Sequence, residues 1–121
     1  MGKSNILGSW GETLAADYLR KKRFKMVAMN YRSRYGEIDL IVSNKKHLVF
    51  VEVKLRKNSD FAAAREFVTF SKQRRIISTA SLWLSIKNCE LQPRFDVIEI
   101  YAPDGINSRR LQINHLVDAF Q

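Results

Sequence analysis

The stretch from Gly36 to Leu55 constrains the fold of this chain more than any other. Apolar residues dominate both sides of the polar break Ser43-Asn44-Lys45-Lys46. This is the pattern of two β-strands joined by a tight turn. Pairing Val42 with His47 across the turn sets Asp39 opposite Phe50 and Glu37 opposite Glu52. Because side chains alternate along a strand, one face of the hairpin carries Ile38, Leu40, Val42, His47, Val49, Val51, Val53 and Leu55. That is a core face. The other carries Glu37, Asp39, Ile41, Leu48, Phe50, Glu52 and Lys54, apolar near the turn and charged at the far end. In this register Asp39 and Glu52 are diagonal neighbours, roughly 7–8 Å apart at the backbone.

The rest of the chain supplies what must cover such a hairpin. Leu7, Trp10, Leu14, Ala15, Tyr18 and Leu19 recur at helical spacing over 5–23, and Phe24 to Tyr31 reads as a strand. A short helical stretch is expected over 61–67 and a clear helix over 69–87, where Ile76, Ile77, Ala80, Trp83 and Leu84 form an apolar stripe with Gln73 one turn earlier. Arg94 to Tyr101 alternates as a strand, Pro103 to Gly105 reads as a turn, 109–113 as a short strand, and Asn114 as the cap of a terminal helix. With a helix between them, the strands at 47–55 and 94–101 are expected to run parallel. The expectation is a single α/β domain over 1–121.

Composition narrows the function. The chain has 121 residues, 45% of them apolar, and 21 Lys and Arg against 12 Asp and Glu, for a formal net charge of +9. A field of that sign attracts polyanions, and nucleic acid is the natural partner. The cations cluster at 20–25, 32–34, 54–57, 72–75 and 109–110. Arg32, Arg34, Tyr35, Arg56, Lys72, Arg74 and Arg75 are the candidates for contact with phosphates or bases. The single cysteine, Cys89, excludes an internal disulfide and a thiolate zinc site, and reads as a small, partly buried residue. No window approaches the ~20 apolar residues of a membrane span, and the first residues lack a secretory apolar run. A cytoplasmic protein is expected.

Chemistry concentrates at the charged end of the hairpin. Asp39 and Glu52 on neighbouring strands, with Lys54 two places on, form a hard-oxygen site beside a cation, suited to Mg²⁺ or Mn²⁺. The carbonyl of Val53 is a further candidate ligand, and Lys54 could hold an attacking water or offset charge on a phosphate. The plain alternative is an exposed salt-bridged patch on a half-solvated strand. Glu12, bordering the apolar stripe of the first helix near Gly8 and Gly11, is either a third acid of this site or a solvated helix acid. His47 and His115 have no evident partners, and no nucleophile triad competes.

These residues resemble the PD-(D/E)xK nuclease superfamily, the fold of restriction endonucleases and archaeal Holliday-junction resolvases. The closer resemblance is to the bacterial YraN family, an uncharacterised group assigned to that superfamily. It is carried by Gly11-Glu12, Asn30-Tyr31-Arg32, Gly36-Glu37-Ile38-Asp39-Leu40-Ile41, Val49-Phe50-Val51-Glu52-Val53-Lys54, Lys72-Gln73-Arg74-Arg75, Arg94-Phe95-Asp96-Val97 and Ala119-Phe120, nearly the whole chain. Ile38 stands where the name-giving proline would be. The resemblance implies a restriction-endonuclease-like three-layer α/β/α core with a mixed sheet, in the order αβββαβ with short C-terminal additions. It implies a metal-dependent nuclease in which Asp39 and Glu52 hold the ion, Lys54 is the catalytic lysine, Glu12 is an acid near the metal and Gln73 a polar group on the following helix. Branched or structured DNA is the favoured substrate, and a homodimer is an option because junction-resolving relatives act as dimers. A nucleic-acid-binding module without intrinsic catalysis is the alternative, and a basic protein-interaction domain a third.

Overall fold

The computed structural model describes residues 6–57 and 68–121. Helix α1 (Ile6–Lys21) is followed by strands β1 (Lys25–Ser33), β2 (Gly36–Ser43) and β3 (His47–Arg56), helix α2 (Phe70–Lys87), β4 (Gln92–Tyr101), a 3₁₀ turn (Gly105–Asn107) and β5 (Gln112–Leu116). The strands form one sheet in chain order, with β3 and β4 parallel and the other neighbours antiparallel. The order and the mixed sheet are those expected of an α/β nuclease-like core. The expected helix over 61–67 lies outside the described residues.

Both faces of the sheet are covered, which explains why β2 and β3 are almost continuously apolar. On one side Ala15, Ala16 and Leu19 of α1 pack on Leu40, Val42, Val49, Val51, Ile98 and Ile100. On the other, Ile76, Ala80 and Trp83 of α2 pack on Ile41, Leu48, Phe50 and Val97. Helix α2 begins where its sequence says it should. Thr69 caps it by accepting a hydrogen bond from the Lys72 N–H at 3.1 Å, and Asn88 closes it in a left-handed conformation.

The hairpin register differs from the expected one by two residues: Val42 pairs with Val49 and Ile41 with Phe50. The turn is responsible. The Asn44 side chain accepts hydrogen bonds from the N–H groups of Lys46 and His47, and the Asn44 N–H donates to the His47 carbonyl, so the turn takes in His47. A slip of two keeps every side chain on its face, so the expected separation of faces survives. Ile38 is the exception. It lies beyond Leu40–Val51, the last pair of the β2–β3 ladder, and joins the α2-side cluster.

The C-terminal segment also departs from expectation. Asn114 caps no helix; it lies in β5 opposite Glu99, and its side-chain amide donates to Glu99 Oε1 at 3.0 Å. His115 has partners after all. Its Nε2 is 2.7 Å from Asp96 Oδ2 and its Nδ1 is 3.2 Å from the Tyr18 hydroxyl. Phe120 closes the α2-side core, its ring stacked 5.3 Å from that of Phe95.

Arg56 corrects another expectation. Placed by sequence among the nucleic-acid contacts, it is buried, with Nε 3.2 Å from Glu99 Oε2. Glu99 is itself 2% exposed and also accepts from the Tyr101 hydroxyl and Asn114. A buried carboxylate needs such company, so Arg56 is committed to the interior. Replacing it leaves the carboxylate uncompensated. Arg56→Ala is expected to destabilise the fold by about 3–5 kcal/mol in urea unfolding; a loss under ~1 kcal/mol, typical of an exposed pair, would contradict this assignment.

Candidate active site

The site forms where β2 and β3 part. Their ladder ends at Leu40–Val51, and the next residues in register are Asp39 and Glu52. Asp39 Oδ2 accepts a hydrogen bond from the Val53 N–H at 2.8 Å. A side-chain carboxylate thus takes a donor of the neighbouring strand, which fixes Asp39 against β3. Val53, expected to contribute through its carbonyl, is tied to the site through its N–H. Glu52 is 5% exposed, and its Oε2 lies 3.3 Å from Lys72 Nζ at the start of α2.

The two carboxylates are electrostatically unfavourable neighbours. Burial, then the charge of Glu52, push the Asp39 carboxyl from its ordinary 3.8 up to about 8, against the lowering effect of the Val53 N–H; Glu12 raises it further and Lys72 opposes. Glu12 reaches the same field from α1. Its carboxyl is also raised, chiefly by burial, with Glu37 and Glu52 adding to the rise, while Asn30 and Arg32 oppose it. Gly11, next to Glu12, is packed against Leu55 and helps bring α1 onto β3. The three acids expected to converge, Asp39, Glu52 and Glu12, therefore share one electrostatic environment. Among the described residues, no group of three or more His, Cys, Asp and Glu side chains forms a ready-made metal cage.

Asn30 was not among the sequence-derived site candidates. It sits in β1 with φ 51, a left-handed conformation in the middle of a strand, and its side chain hydrogen-bonds Glu12. Asparagine tolerates that backbone better than most residues, a signal the sequence offered beside the Asn30-Tyr31-Arg32 block of the family resemblance. Lys54 is half-buried on the charged face of β3, in register with Glu99. Gln73 donates from Nε2 to the Val68 carbonyl at 2.8 Å, so its amide anchors the segment entering α2.

The basic candidates divide. Arg34 and Tyr35 are exposed at the β1–β2 turn, with the guanidinium 5.0 Å from the ring centroid. Ser33 ties that turn to α2 through Thr79 at 3.0 Å, and Gly36 lies against Arg75. Arg32 is exposed and 3.5 Å from Glu37. Arg74 lies over the exposed ring of Phe70. Arg32, Arg34, Tyr35 and Arg75 thus belong to one end of the molecule, Lys72 turns onto Glu52, and Arg56 is withdrawn into the core.

A mixed α/β core with paired acids where two strands diverge is the class of molecule that emerges. The sequence comparisons agree on a family. The model of the uncharacterised protein family UPF0102 matches residues 11–100, and the chain belongs to that family. It is 42% identical over 118 residues to a UPF0102 protein of Caldanaerobacter subterraneus subsp. tengcongensis, covering 94% of this chain and 93% of the relative. It is also 45% identical over 121 residues to a UPF0102 protein of Rhodococcus jostii, covering 99% and 100%. The expected YraN-like membership matches this family.

The raised Asp39 carboxyl has a measurable consequence. Between about 4 and about 8 the native state holds a proton there that the unfolded chain has released, so stability falls as pH rises through that window. Asp39→Asn removes this slope. Urea midpoints of wild type and variant, measured in chelator across that range, test it: the variant's profile should be flatter, and parallel profiles would contradict the assignment.

Proposed function

We propose that this chain is a divalent-metal-dependent nuclease that hydrolyses phosphodiester bonds of nucleic acid, with DNA, including branched or structured DNA, the favoured substrate. One observation carries the reading. Asp39 and Glu52 are held side by side where two negative charges would oppose each other, so the site keeps a proton on Asp39, and a cation bound between the two acids would take that proton's place.

The donor set fits a hard ion. Asp39 and Glu52 would hold Mg²⁺ or Mn²⁺, with the Val53 carbonyl a further oxygen and Glu12 close enough to influence bound water. When bound, such an ion supplies Lewis acidity towards the phosphate and makes water more acidic. The chain's own groups do the rest. Lys54, on the same face as Glu52, would stabilise negative charge on the phosphate oxygens. Lys72 would exchange its contact with Glu52 for a phosphate oxygen once the carboxylate is neutralised. Arg32, Arg34, Arg74, Arg75 and Tyr35 would position the strand. Water adds to phosphorus in line with the leaving oxygen, the phosphorus–oxygen bond to that group breaks, and the proton released by the water balances the one the leaving oxygen takes up.

A second reading is a nucleic-acid-binding module of the same fold with little intrinsic catalysis. One observation favours it: the engagement of Glu52 by Lys72. Cleavage separates the two. Wild type with Mg²⁺ or Mn²⁺ should cut at least one of a panel of linear, branched, DNA and RNA substrates. Asp39→Ala and Glu52→Ala should each lose at least ~100-fold in rate while remaining folded. Salt-sensitive binding without cleavage would favour the module, and cleavage surviving both substitutions would remove the proposed site.

A further inference from the structure

A second concentration of charge lies at the other end of the β2–β3 hairpin. Lys22, Arg23, Lys25, Lys45 and Lys46, with Asn44, line an open hollow of about 630 Å³ that contains no Asp or Glu. The cations come from two loops that the structure holds in place and from Lys25, the first residue of β1. The end of α1 is closed by the Phe24 N–H donating to the Leu19 carbonyl and the Arg23 N–H to the Arg20 carbonyl, with Arg23 itself in the left-handed region at φ 72. The Lys22 ammonium rests 5.4 Å from the Tyr18 ring centroid. Across the hollow, the Asn44 side chain fixes the turn that presents Lys45 and Lys46.

The negative end of the α1 dipole accounts for cations in its last turn. It does not account for Lys25, or for two lysines brought from a different loop to the same hollow. Like charges gathered on ordered loops repel unless an anion joins them, and cations drawn from three elements suit several successive phosphates rather than one.

We infer that this hollow is a second anchoring site for the sugar-phosphate backbone of nucleic acid. The inference rests on the reading of nucleic acid as the ligand and adds where the backbone runs. Ser43, which also lines the hollow, lies four residue steps beyond Asp39 along β2. At ~3.3 Å per residue that is about 13 Å, a span comparable to a short run of phosphates along one strand. The intervening Leu40, Ile41 and Val42 are buried, so a backbone that engages both the carboxylate pair and the hollow runs over the outside of the elements that cover the sheet between them.

Fluorescence anisotropy with a labelled DNA duplex of about 20 base pairs, roughly 70 Å long, tests this across a salt series using the full chain. The comparison is between Lys45→Ala/Lys46→Ala, Lys22→Ala/Arg23→Ala, and the matched exposed pair Arg109→Ala/Arg110→Ala, each removing two positive charges. Each hollow pair should weaken binding roughly tenfold at low salt and reduce the slope of log affinity against log salt by up to about 2, while the matched pair changes binding less than about twofold. Equal losses from all pairs, no loss from the hollow pairs, or no binding of the wild type to either a DNA or an RNA duplex would overturn the inference. A wild type that binds through the hollow but never cuts would overturn the nuclease reading and leave this one standing. A wild type that cuts, with hollow variants that bind normally, would do the reverse.

Discussion

The candidate site depends on the point where the β2–β3 ladder gives way to side-chain contact. Up to Leu40–Val51 the strands satisfy each other's backbones. One residue on, the Asp39 carboxylate takes the Val53 N–H, and Glu52 occupies the neighbouring position in the register. This geometry needs covered strands, since a sheet packed on both sides buries Glu52 and leaves Asp39 half-buried beside it. α1 and α2 provide the cover, and they also bring Glu12 and Lys72 to the site.

The buried acids Asp96 and Glu99 show how unusual Asp39, half-buried in the same sheet, is. Asp96 is fully buried, yet its carboxyl stays below the ordinary value: His115, both donors of Arg94 and the Asp118 N–H outweigh the cost of burial. Glu99 has Arg56, Tyr101 and Asn114. Asp39 has one backbone donor and one opposing cation, Lys72, against burial and two acids within electrostatic range. In the first two cases the protein's own groups offset the charge, and the acids serve the fold. At Asp39 the compensation is incomplete, which is the condition for holding something else.

Much of this was legible in the sequence because it follows from periodicity. The stripe through Ile76, Ala80 and Trp83 identified α2, Thr69 marked its start, and alternation through β2 and β3 put Asp39 and Glu52 on the charged side. The failures have a common cause: they turn on a partner distant in sequence or on a detail of turn geometry. Arg56 looks like any member of a basic run until Glu99, on a parallel strand, claims it. His115 looks isolated until β5 pairs with β4 and brings it to Asp96. The register slipped by two because Asn44 closes the turn with its side chain, a contact that strand alternation does not report. Asn30 is the subtler case, since a lone polar residue in an edge strand says little until its backbone is seen to be left-handed and its amide directed at Glu12.

The central claim is that Asp39 and Glu52 together form a divalent-cation site. Crystals of the protein soaked in Mn²⁺ and measured at the manganese absorption edge test it directly. The account predicts one dominant anomalous peak in contact with carboxylate oxygens of both residues, with the Lys72 ammonium displaced from Glu52. Manganese bound elsewhere, with the Lys72–Glu52 contact intact and no peak between the two acids, would contradict it.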